Sequence, residues 1–370
     1  MKKKVLAAIL LAVGVLTGCG TSEPISSPIQ TVEAEPIATD TKEVEQPAAT
    51  ESSADEVAPE HSYRSELTNE WIDEDLKDQR PIAVMVDNER TALPHFGTAD
   101  ADVVYEIMNS TLNDRITRFM VVVKDWEKIE QLGSIRSARP TNFMLAAEWN
   151  AVLCHDGGPY FINDWVAKDY SANFSGGFAR FNNGKATEFT EYITYDTYTN
   201  SQKGKTYDGL KQRFANSKYT TTYNDYYQGP HFKFADGEVT FDDRSDAISA
   251  TTIALPFKHN GSTLKYNEET GTYDYYEYGS AHKDADSNAQ LTFENVILQD
   301  TTFAELAIDS GRSGYYITQG KAIEVTWTKS SENAITHYYD AKTGEEIQIN
   351  TGKTYISLIP SDGWSSLVIK

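Results

Sequence analysis

Cysteine is nearly absent from this chain, which has only Cys19 and Cys154 among 370 residues. Small exported proteins often depend on disulfides, but about 300 residues after a flexible start are enough to bury ordinary hydrophobic cores. A reactive Cys154 would need an activating base and access to solvent. Because it lies inside the apolar segment 152–154, we expect a buried, inert thiol.

Basic residues are also scarce. There are 33 lysines and arginines against 55 aspartates and glutamates, so the formal net charge is −22 at pH 7. Nucleic acids and anionic lipid surfaces bind to basic protein surfaces. The composition therefore argues against both as general partners, and we predict no nucleic-acid partner.

The motifs of several common enzymes and metal sites are missing. The chain has no His-Glu-x-x-His, no glycine-rich phosphate loop ending in lysine and no Gly-x-Ser-x-Gly, which weakens protease, kinase and hydrolase interpretations. The segment 284–288 begins like a calcium loop, but Ala289 replaces the required glycine and Asn295 the bidentate glutamate. We interpret it as a solvated loop and predict no metal and no cofactor.

The first 19 residues have the three parts of a lipoprotein export signal: basic residues 1–4, an apolar stretch 5–16, and Leu16-Thr17-Gly18-Cys19, which resembles a lipobox. The apolar stretch is too short to span a bilayer, and no second long one follows. We predict that signal peptide 1–18 is removed and that lipidated Cys19 anchors the chain to the extracytoplasmic face of the membrane. An ordinary signal peptide with a chance cysteine is the alternative. With Cys19 lipidated, no intramolecular disulfide is possible.

Residues 19–65 are predicted to be an acidic, disordered tether. Between residues 21 and 60, ten acidic residues face one basic residue, Lys42, and this segment holds five of the chain's 12 prolines. Such a segment repels itself and cannot bury a core. It would hold the folded part of the chain some distance from the lipid.

Residues 66–230 have the pattern of an α/β domain. Four continuous apolar runs are typical of strands covered on both faces. These runs are residues 81–87, 103–108, 116–123 and 151–155. Residues 141–148 follow a proline and predict a helix. Strands that alternate with helical segments favour a mixed sheet with helices.

Residues 231–370 show short alternating segments of apolar and polar residues, separated by turn sequences. This pattern predicts a β-rich domain. The predicted fold class is therefore an α/β N-terminal domain with a mixed sheet and helices, followed by a smaller β-rich domain.

The strongest candidate for a binding site is Leu132-Gly133-Ser134-Ile135-Arg136-Ser137-Ala138-Arg139-Pro140. Pro140 suits the first turn of a helix, and Ser137 or the backbone just after it is expected to cap that helix. Arg136 and Arg139 would then lie beside the free N–H groups of a helix N-terminus, where anions bind. Arg118 would join them from a neighbouring strand. We predict that Arg118, Arg136, Ser137 and Arg139 bind an anion.

The same arginines also have a structural interpretation, because buried ion pairs can lock a sheet without any ligand. The nearby carboxylates are Asp100, Asp102, Glu106 and Asp114. Odd spacing places Arg115 and Arg118 on opposite faces of a strand, so at most one of them joins the cluster.

His155 and Asp156 are the best candidates for acid–base chemistry. They stand at the end of a predicted strand, where open α/β sheets collect ligands. Histidine titrates near neutrality and a carboxylate can orient its ring. Neighbours in a strand point to opposite faces, however, so a purely structural histidine is the alternative interpretation.

Several segments together resemble the YerB-like lipoproteins of Gram-positive bacteria. Besides the lipobox and the acidic tether, the segments are Ala99-Asp100-Ala101-Asp102-Val103-Val104-Tyr105-Glu106, Arg115-Ile116-Thr117-Arg118-Phe119, Gly133-Ser134-Ile135-Arg136-Ser137-Ala138-Arg139, His155-Asp156-Gly157-Gly158 and Ile349-Asn350-Thr351-Gly352-Lys353-Thr354-Tyr355-Ile356. The resemblance covers nearly all of residues 80–370. It implies a lipid-anchored Gram-positive surface protein with two domains, both of unknown function, and it implies no catalytic residues.

Three functions fit these observations. The first is binding of an anionic small molecule or cell-envelope polymer through Arg118, Arg136 and Arg139. The second is a cell-envelope hydrolase or transferase, acting on a phosphate- or carboxylate-bearing substrate with His155 as general base and Asp156 nearby. The third is a scaffold that contacts a protein partner. An enzyme needs His155 and an arginine in one cleft, a binder needs exposed arginines, and a scaffold would bury all of them in ion pairs.

Overall fold

The computed structural model describes residues 57–111, 114–302 and 312–370. The predicted signal peptide, Cys19 and most of the predicted tether lie outside these residues. Ordered structure begins before residue 66, because Ser62–Arg64 pairs with Trp71–Asp73 as a short antiparallel ribbon. In the described part of the chain, no helix has the length and apolar character needed to cross a bilayer.

Strands outnumber helices in the described residues. The strands of the first part are β1 (Ser62–Arg64), β2 (Trp71–Asp73), β3 (Ile82–Asp87), β4 (Val103–Met108), β5 (Thr117–Val123), β6 (Leu132–Gly133), β7 (Val152–His155), β8 (Asn173–Ser175), β9 (Ala179–Arg180), β10 (Glu191–Ile193), β11 (Tyr198–Asn200) and β12 (Lys205–Tyr207). Those of the second part are β13 (Ile248–Ser249), β14 (Thr252–Ala254), β15 (Thr263–Asn267), β16 (Thr272–Glu277), β17 (Ser280–Ala281), β18 (Thr292–Phe293), β19 (Asn295–Thr301), β20 (Arg312–Thr318), β21 (Lys321–Thr328), β22 (His337–Asp340), β23 (Thr354–Pro360) and β24 (Val368–Ile369).

The α-helices are short. They are α1 (Pro140–Glu148), α2 (Asn163–Val166), α3 (Leu210–Ala215) and α4 (Ser361–Trp364). Single turns of 3-10 helix occur at Glu74–Leu76, Arg90–Ala92, Thr98–Asp100, Trp126–Lys128, Tyr160–Ile162 and Thr187–Phe189.

One eleven-stranded sheet takes strands from both parts of the chain, in the order β13-β21-β20-β19-β23-β4-β5-β3-β7-β8 with β22 beside β21. Strand β23 runs parallel to β4 on one side and to β19 on the other. All seven of its residues are buried. Strand β23, close to the C-terminus, therefore joins the two predicted domains into one sheet.

The central part of this sheet is mixed. Strands β3, β4, β7, β19 and β23 run in one direction, while β5 lies antiparallel to β3 and β4. The carboxyl ends of the parallel strands and the amino end of β5 therefore meet at one edge of the sheet. Asp87, Arg118 and His155 lie at this edge, in β3, β5 and β7 respectively.

Both faces of the sheet are covered, as the continuous apolar runs predict. Along β3, Val84 and Val86 belong to a hydrophobic cluster shared with the six-stranded sheet β17-β16-β15-β14-β24 plus β18. Ala83 and Met85 belong to a second cluster that includes Phe143 of α1. Alternate residues of one strand thus face two different apolar layers, which is why residues 82–86 of β3 are all apolar.

The predicted fold class is confirmed as a mixed N-terminal sheet and a β-rich C-terminal domain, although helices are fewer than an α/β pattern suggests. The four apolar runs form β3, β4, β5 and β7, and the predicted helix forms α1. Strand β20 was not predicted. It contains Gly314, where a Cβ atom would come within 2.6 Å of the Leu298 carbonyl oxygen. Tight packing against β19 therefore requires glycine here, and a glycine inside a strand weakens the pattern from which strands are predicted. Residues 346–349 were predicted as a strand but form only isolated bridges.

The last residue of α1, Glu148, connects the two parts of the chain through a fully buried network. Its carboxylate accepts hydrogen bonds from Lys329 Nζ at 2.6 Å, from His231 Nε2 at 2.7 Å, and from the backbone and hydroxyl of Thr336 at 3.1 and 3.0 Å. Burial acts to raise the pKa of Glu148, but Lys329 and His231 outweigh it and hold the pKa at about 2. The charge of this carboxylate is thus well compensated.

Glu106, in β4, is a second buried carboxyl group. It accepts hydrogen bonds from Thr117 Oγ1 and Ser262 Oγ, both at 2.6 Å, and from the hydroxyl groups of Tyr275 and Tyr355. All of these donors are neutral. Burial therefore dominates and raises the pKa of Glu106 to about 7.

Removing the charge of Glu148 should destabilise the fold strongly. In Glu148→Gln, Lys329 would remain charged and buried without a counter-ion, a situation that typically costs about 3–5 kcal/mol. We expect a decrease of this size in the free energy of unfolding, measured with urea, and partial recovery in Glu148→Gln/Lys329→Met. Glu332→Gln removes a half-exposed pair with Lys168 and is the matched control, with little expected change. Equal effects in Glu332→Gln and Glu148→Gln would contradict this account.

The pKa of Glu106 predicts a specific pH dependence of stability. The unfolded chain releases this proton near its usual value of 4.5, whereas the folded chain keeps it up to about pH 7. The contribution of Glu106 to stability is therefore complete below pH 4.5 and decreases as the pH rises to about 7. Relative to Glu106→Gln, the wild type should lose on the order of 3 kcal/mol across this window. A difference that does not vary between pH 4.5 and 7 would exclude this role.

Candidate functional site

The arginine loop, residues 134–139, connects β6 to α1 and is held by backbone hydrogen bonds on both sides. The Arg136 N–H donates to the Met85 carbonyl at 2.9 Å, and the Ala138 N–H donates to the Gly157 carbonyl at 3.1 Å. The Asp156 N–H in turn donates to the Arg136 carbonyl at 3.0 Å. The loop and residues 155–158 are therefore fixed against each other at the carboxyl edge of the large sheet.

The arginine loop and residues 155–158 lie so close together that position 158 requires glycine. A Cβ atom on Gly158 would lie 2.9 Å from the Ala138 carbonyl oxygen and 2.3 Å from Ile162 Cδ1. Any larger residue would push the arginine loop away from its position. The His-Asp-Gly-Gly segment thus contributes to the site through its backbone.

Helix α1 begins at Pro140, as its sequence predicts. The N-cap position belongs to Arg139, so Ser137 itself does not cap the helix. The Asn142 side chain accepts a hydrogen bond from the Arg139 N–H at 2.7 Å, and the Asn142 N–H donates to the Arg139 carbonyl at 3.0 Å. The backbone of Arg139 is therefore fixed at the positive end of the helix dipole.

Arg118 and Arg139 meet at Ser137. The Nη1 atom of Arg118 donates to the Ser137 carbonyl at 2.7 Å and to its hydroxyl at 3.0 Å. The Nη1 atom of Arg139 lies 3.4 Å from the same hydroxyl and donates to the Ala138 carbonyl at 3.0 Å. Burial, followed by the charge of Arg139, lowers the pKa of Arg118 to about 10. Burial also lowers the pKa of Arg139. Both guanidinium groups thus use neutral acceptors.

Within residues 57–111, 114–302 and 312–370, neither Arg118 nor Arg139 has a carboxylate oxygen within 4.0 Å. Arg136 differs, because its guanidinium group forms ion pairs with Asp87 at 2.7 Å and Glu188 at 2.8 Å. Arg115 pairs with Asp362 at 2.7 Å. Among the described residues, Arg115 and Arg136 therefore form ion pairs with carboxylates, whereas Arg118 and Arg139 form none.

Asp100, Asp102, Glu106 and Asp114, the partners expected for a purely structural cluster, form none of these ion pairs. Asp102 accepts from the Lys124 N–H at 2.6 Å, and Glu106 is surrounded by hydroxyl groups. Asp87 and Glu188 were missed as arginine partners. Asp87 could have been found from the alternation of β3 and its position at the strand end, whereas Glu188 comes from a distant loop with no sequence signal.

Arg118 and Arg139 border one narrow pocket at the edge of the sheet. Its other lining residues are Met85, Ile107, Met108, Asn109, Thr141 and Asn142. A second pocket shares Ile107, Met108 and Thr141 and continues to Thr301, Thr302, Leu358 and Pro360. The two cavities, each about 10 Å³ in volume, adjoin at these shared residues and together form a narrow groove between strands of the two domains.

His155 is buried, with 1% of its surface exposed. Its Nδ1 lies 2.8 Å from the Gly157 carbonyl oxygen and its Nε2 lies 3.4 Å from Asn173 Oδ1. The edge of Phe143 packs on the ring, and burial lowers the pKa of His155. Both ring nitrogens are engaged, and neither is hydrogen-bonded to Asp156. The structure gives His155 the environment of a structural histidine.

Asp156 lies in a different group, with Arg180 and Glu191. Arg180 Nη2 is 2.5 Å from Glu191 Oε2 and 3.4 Å from Asp156 Oδ2. Burial, followed by the interaction with Asp156, raises the pKa of Glu191 to about 7. The predicted site residues thus fall into three groups: Arg118, Ser137 and Arg139 together, Arg136 with its acidic partners, and His155 and Asp156 in separate contacts.

Two other expectations concern residues outside this site. Cys154 is fully buried, and burial raises the pKa of its thiol to about 12, which confirms an inert cysteine. The expectation of a solvated loop at 284–288 is wrong for its first residue. Asp284 is buried and its carboxylate accepts from the backbone of Thr98, Asp286 and Ser287, so it anchors two loops.

The comparisons with known proteins agree with this fold. Residues 67–211 match the family described as "Protein of unknown function (DUF3048) N-terminal domain", and residues 253–356 match its C-terminal domain. The chain is 21% identical over 314 residues to a Bacillus subtilis (strain 168) protein named "Putative lipoprotein YerB", covering 80% of this chain and 86% of that protein. That name supports a lipoprotein, while both domains have no known function.

A solved structure has the same fold. The crystal structure of the YerB protein from Bacillus subtilis superposes with a TM-score of 0.67 at 18% identity, and the match covers 83% of this chain and 99% of that chain. Two matching domain families, a curated relative and a shared fold lead to one conclusion. The chain belongs to the YerB-like family of proteins with DUF3048 N-terminal and C-terminal domains.

Proposed function

We propose that this protein is a lipid-anchored, extracytoplasmic binding protein that holds an anionic group between Arg118 and Arg139. The observation that carries the proposal is the arrangement of these two guanidinium groups. They border one pocket, and in the described residues their hydrogen bonds go to a serine and to backbone carbonyls. Arg115 and Arg136, in contrast, each have a carboxylate partner.

Two neighbouring positive charges without an acidic partner are costly when partly buried. A phosphate or carboxylate would compensate both, because each guanidinium group can donate two parallel hydrogen bonds to such an anion. The first turn of the nine-residue helix α1 adds a favourable dipole at the same place. Asp87 is the nearby negative charge that acts on Arg118, but it pairs with Arg136; a ligand would thus supply a direct anionic partner for Arg118 and Arg139.

The groove beside the arginines indicates what else the ligand carries. Ile107, Met108, Leu358 and Pro360 line this narrow groove, which would have to widen to admit an apolar group beside the arginines. We infer a ligand whose phosphate or carboxylate is joined to an apolar group. Such molecules are present at the membrane surface where a lipid anchor would hold the protein.

Arg136 has a supporting role in this proposal. Its guanidinium group is occupied by Asp87 and Glu188 and stacks 5.2 Å from the ring of Phe189. It holds the loop between β6 and α1, from which Arg139 reaches the pocket. His155 gives the enzyme hypothesis no support, because its ring nitrogens are used inside the protein.

Membrane anchoring through Cys19 is supported by the lipobox and by the name of the relative. In cells that express the full chain, the wild type should be found in the membrane fraction. Cys19→Ala should shift it to the soluble extracytoplasmic fraction or leave an uncleaved precursor, whereas Cys154→Ala should not. Fractionation with immunoblotting measures this. Retention of mature Cys19→Ala in the membrane would contradict lipid anchoring.

Ligand binding is tested by thermal unfolding of the full chain with hexyl phosphate, inorganic phosphate and hexanol as probes. We expect hexyl phosphate to raise the melting temperature most, because it satisfies both the arginines and the groove. A probe at a hundred times its dissociation constant adds about 2.7 kcal/mol of stability. Arg118→Gln/Arg139→Gln should abolish the shift, since each lost charged hydrogen bond costs about 1.5–3 kcal/mol.

The matched control is Arg115→Gln, which removes an arginine of the same segment that pairs with Asp362. It should retain the full shift with hexyl phosphate. An equal shift in Arg118→Gln/Arg139→Gln and in the wild type would exclude this pocket as the binding site. A shift with hexanol alone would indicate an apolar site without anion recognition.

A further inference from the structure

Three buried side chains, one from the first part of the chain and two close together in the second part, meet on the side of the molecule that carries the six-stranded sheet. They are His95, Glu277 and His282, and at most 3% of the surface of each is exposed. One ligand atom from each lies within 4.8 Å of the other two. His95 lies 182 positions before Glu277 in the sequence. No short spacing motif therefore predicts that these residues form one group.

His95 presents a free lone pair to the cluster. Its Nε2 lies 2.6 Å from the carbonyl oxygen of Asp87. A carbonyl oxygen only accepts hydrogen bonds, so Nε2 carries the proton and the neutral ring leaves Nδ1 unprotonated. In the described part of the chain, this buried Nδ1 has no hydrogen-bond partner. Metal-binding histidines are typically oriented in this way, with the other ring nitrogen donating to a carbonyl group.

Glu277 presents a second unused donor atom. Its Oε1 lies 2.7 Å from His282 Nδ1. Its Oε2 is buried and makes no hydrogen bond of normal geometry among the described residues, although the side-chain amides of Asn88 and Asn260 are near enough to act on the carboxylate. Buried polar atoms are nearly always satisfied, and exceptions frequently mark ions or ligands. Two such atoms within one cluster of three residues are therefore informative.

The surroundings are those of a metal centre. The rings of His95 and His282 have centroids 5.0 Å apart, and Phe119 and Tyr275 pack against them. The hydroxyl of Thr98 lies 3.4 Å from His282 Nε2. An apolar shell and hydrogen bonds to the outer ring nitrogens are what tune and orient ligands in metalloproteins.

We propose that His95, Glu277 and His282 bind a divalent transition-metal ion, with Zn²⁺ the best fit. Imidazole nitrogens and a carboxylate suit zinc and its neighbours, whereas calcium and magnesium prefer oxygen ligands alone. Bond lengths of about 2.0–2.2 Å in a tetrahedral site place ligand atoms about 3.3 Å apart. The observed separations, 2.7 Å at the closest and 4.8 Å at most, lie on both sides of this value.

The three ligands leave a fourth position for water or another ligand. An open cavity reaches Glu277 and His282 and is also lined by Leu93, Pro94 and Lys283. It provides a route for the ion from solvent. Zinc sites with three protein ligands and one open position are typical of centres that bind or activate a small molecule.

The test uses the full chain, stripped with a chelator and dialysed against Zn²⁺. We expect one zinc ion per chain and an increase in melting temperature on addition of Zn²⁺. With Co²⁺ in place of Zn²⁺, visible absorption bands without a thiolate charge-transfer band would assign nitrogen and oxygen ligands and exclude Cys19 and Cys154. His95→Gln, Glu277→Gln and His282→Gln should each lower zinc affinity at least tenfold.

His337→Gln is the matched control, because His337 pairs through Nδ1 with Glu346 at 2.6 Å but is exposed. It should bind zinc like the wild type. If a cluster variant does not fold, Glu277→Asp keeps a carboxylate and should bind zinc more weakly while it retains the wild-type melting temperature in chelator. The proposal is overturned if the wild type binds no stoichiometric zinc, if the cluster variants bind it as the wild type does, or if His337→Gln loses it equally.

Discussion

The parallel pairing of β23 between β4 and β19 is the constraint on which the rest of the structure depends. It places a strand from the end of the chain in the centre of the large sheet, with all seven residues buried. Such a strand is covered only when residues of both domains pack around it. The pairing also aligns the carboxyl ends of β4, β19 and β23, where the two narrow cavities adjoin, one bordered by Arg118 and the other by Pro360.

The buried charged and polar groups of the described residues differ in how fully they are paired. Glu148 is satisfied by Lys329, His231 and Thr336, and this network joins α1 to the C-terminal domain. The arginines at Ser137 and the cluster around His95 differ, because charge or lone pairs remain without a counterpart in the described residues. Burying charge or lone pairs without a partner lowers the stability of the fold, and a bound ligand would offset that loss.

Much of the fold could be predicted from local patterns, because β3, β4, β5 and β7 are covered on both faces and therefore read as continuous apolar runs. The joining of the two domains through β23 could not be predicted from the sequence, because the order of strands in a sheet depends on pairing between distant segments. The arginine loop was found from Pro140 and the spacing of Arg136 and Arg139. Sequence could not show which of these arginines would find an acidic partner, since Glu188 approaches from a separate loop.

Asp87 connects the two proposed sites. Its carboxylate pairs with Arg136 of the arginine loop, and its carbonyl oxygen accepts the hydrogen bond that orients His95. The position of β3 thus determines both the direction of the His95 lone pair and the placement of the loop that carries Arg139. Displacement of Asp87 would disturb both, whereas loss of the Arg136 guanidinium group leaves the backbone contact to His95 in place. The end of one buried strand therefore contacts both proposed sites, one through its side chain and the other through its backbone.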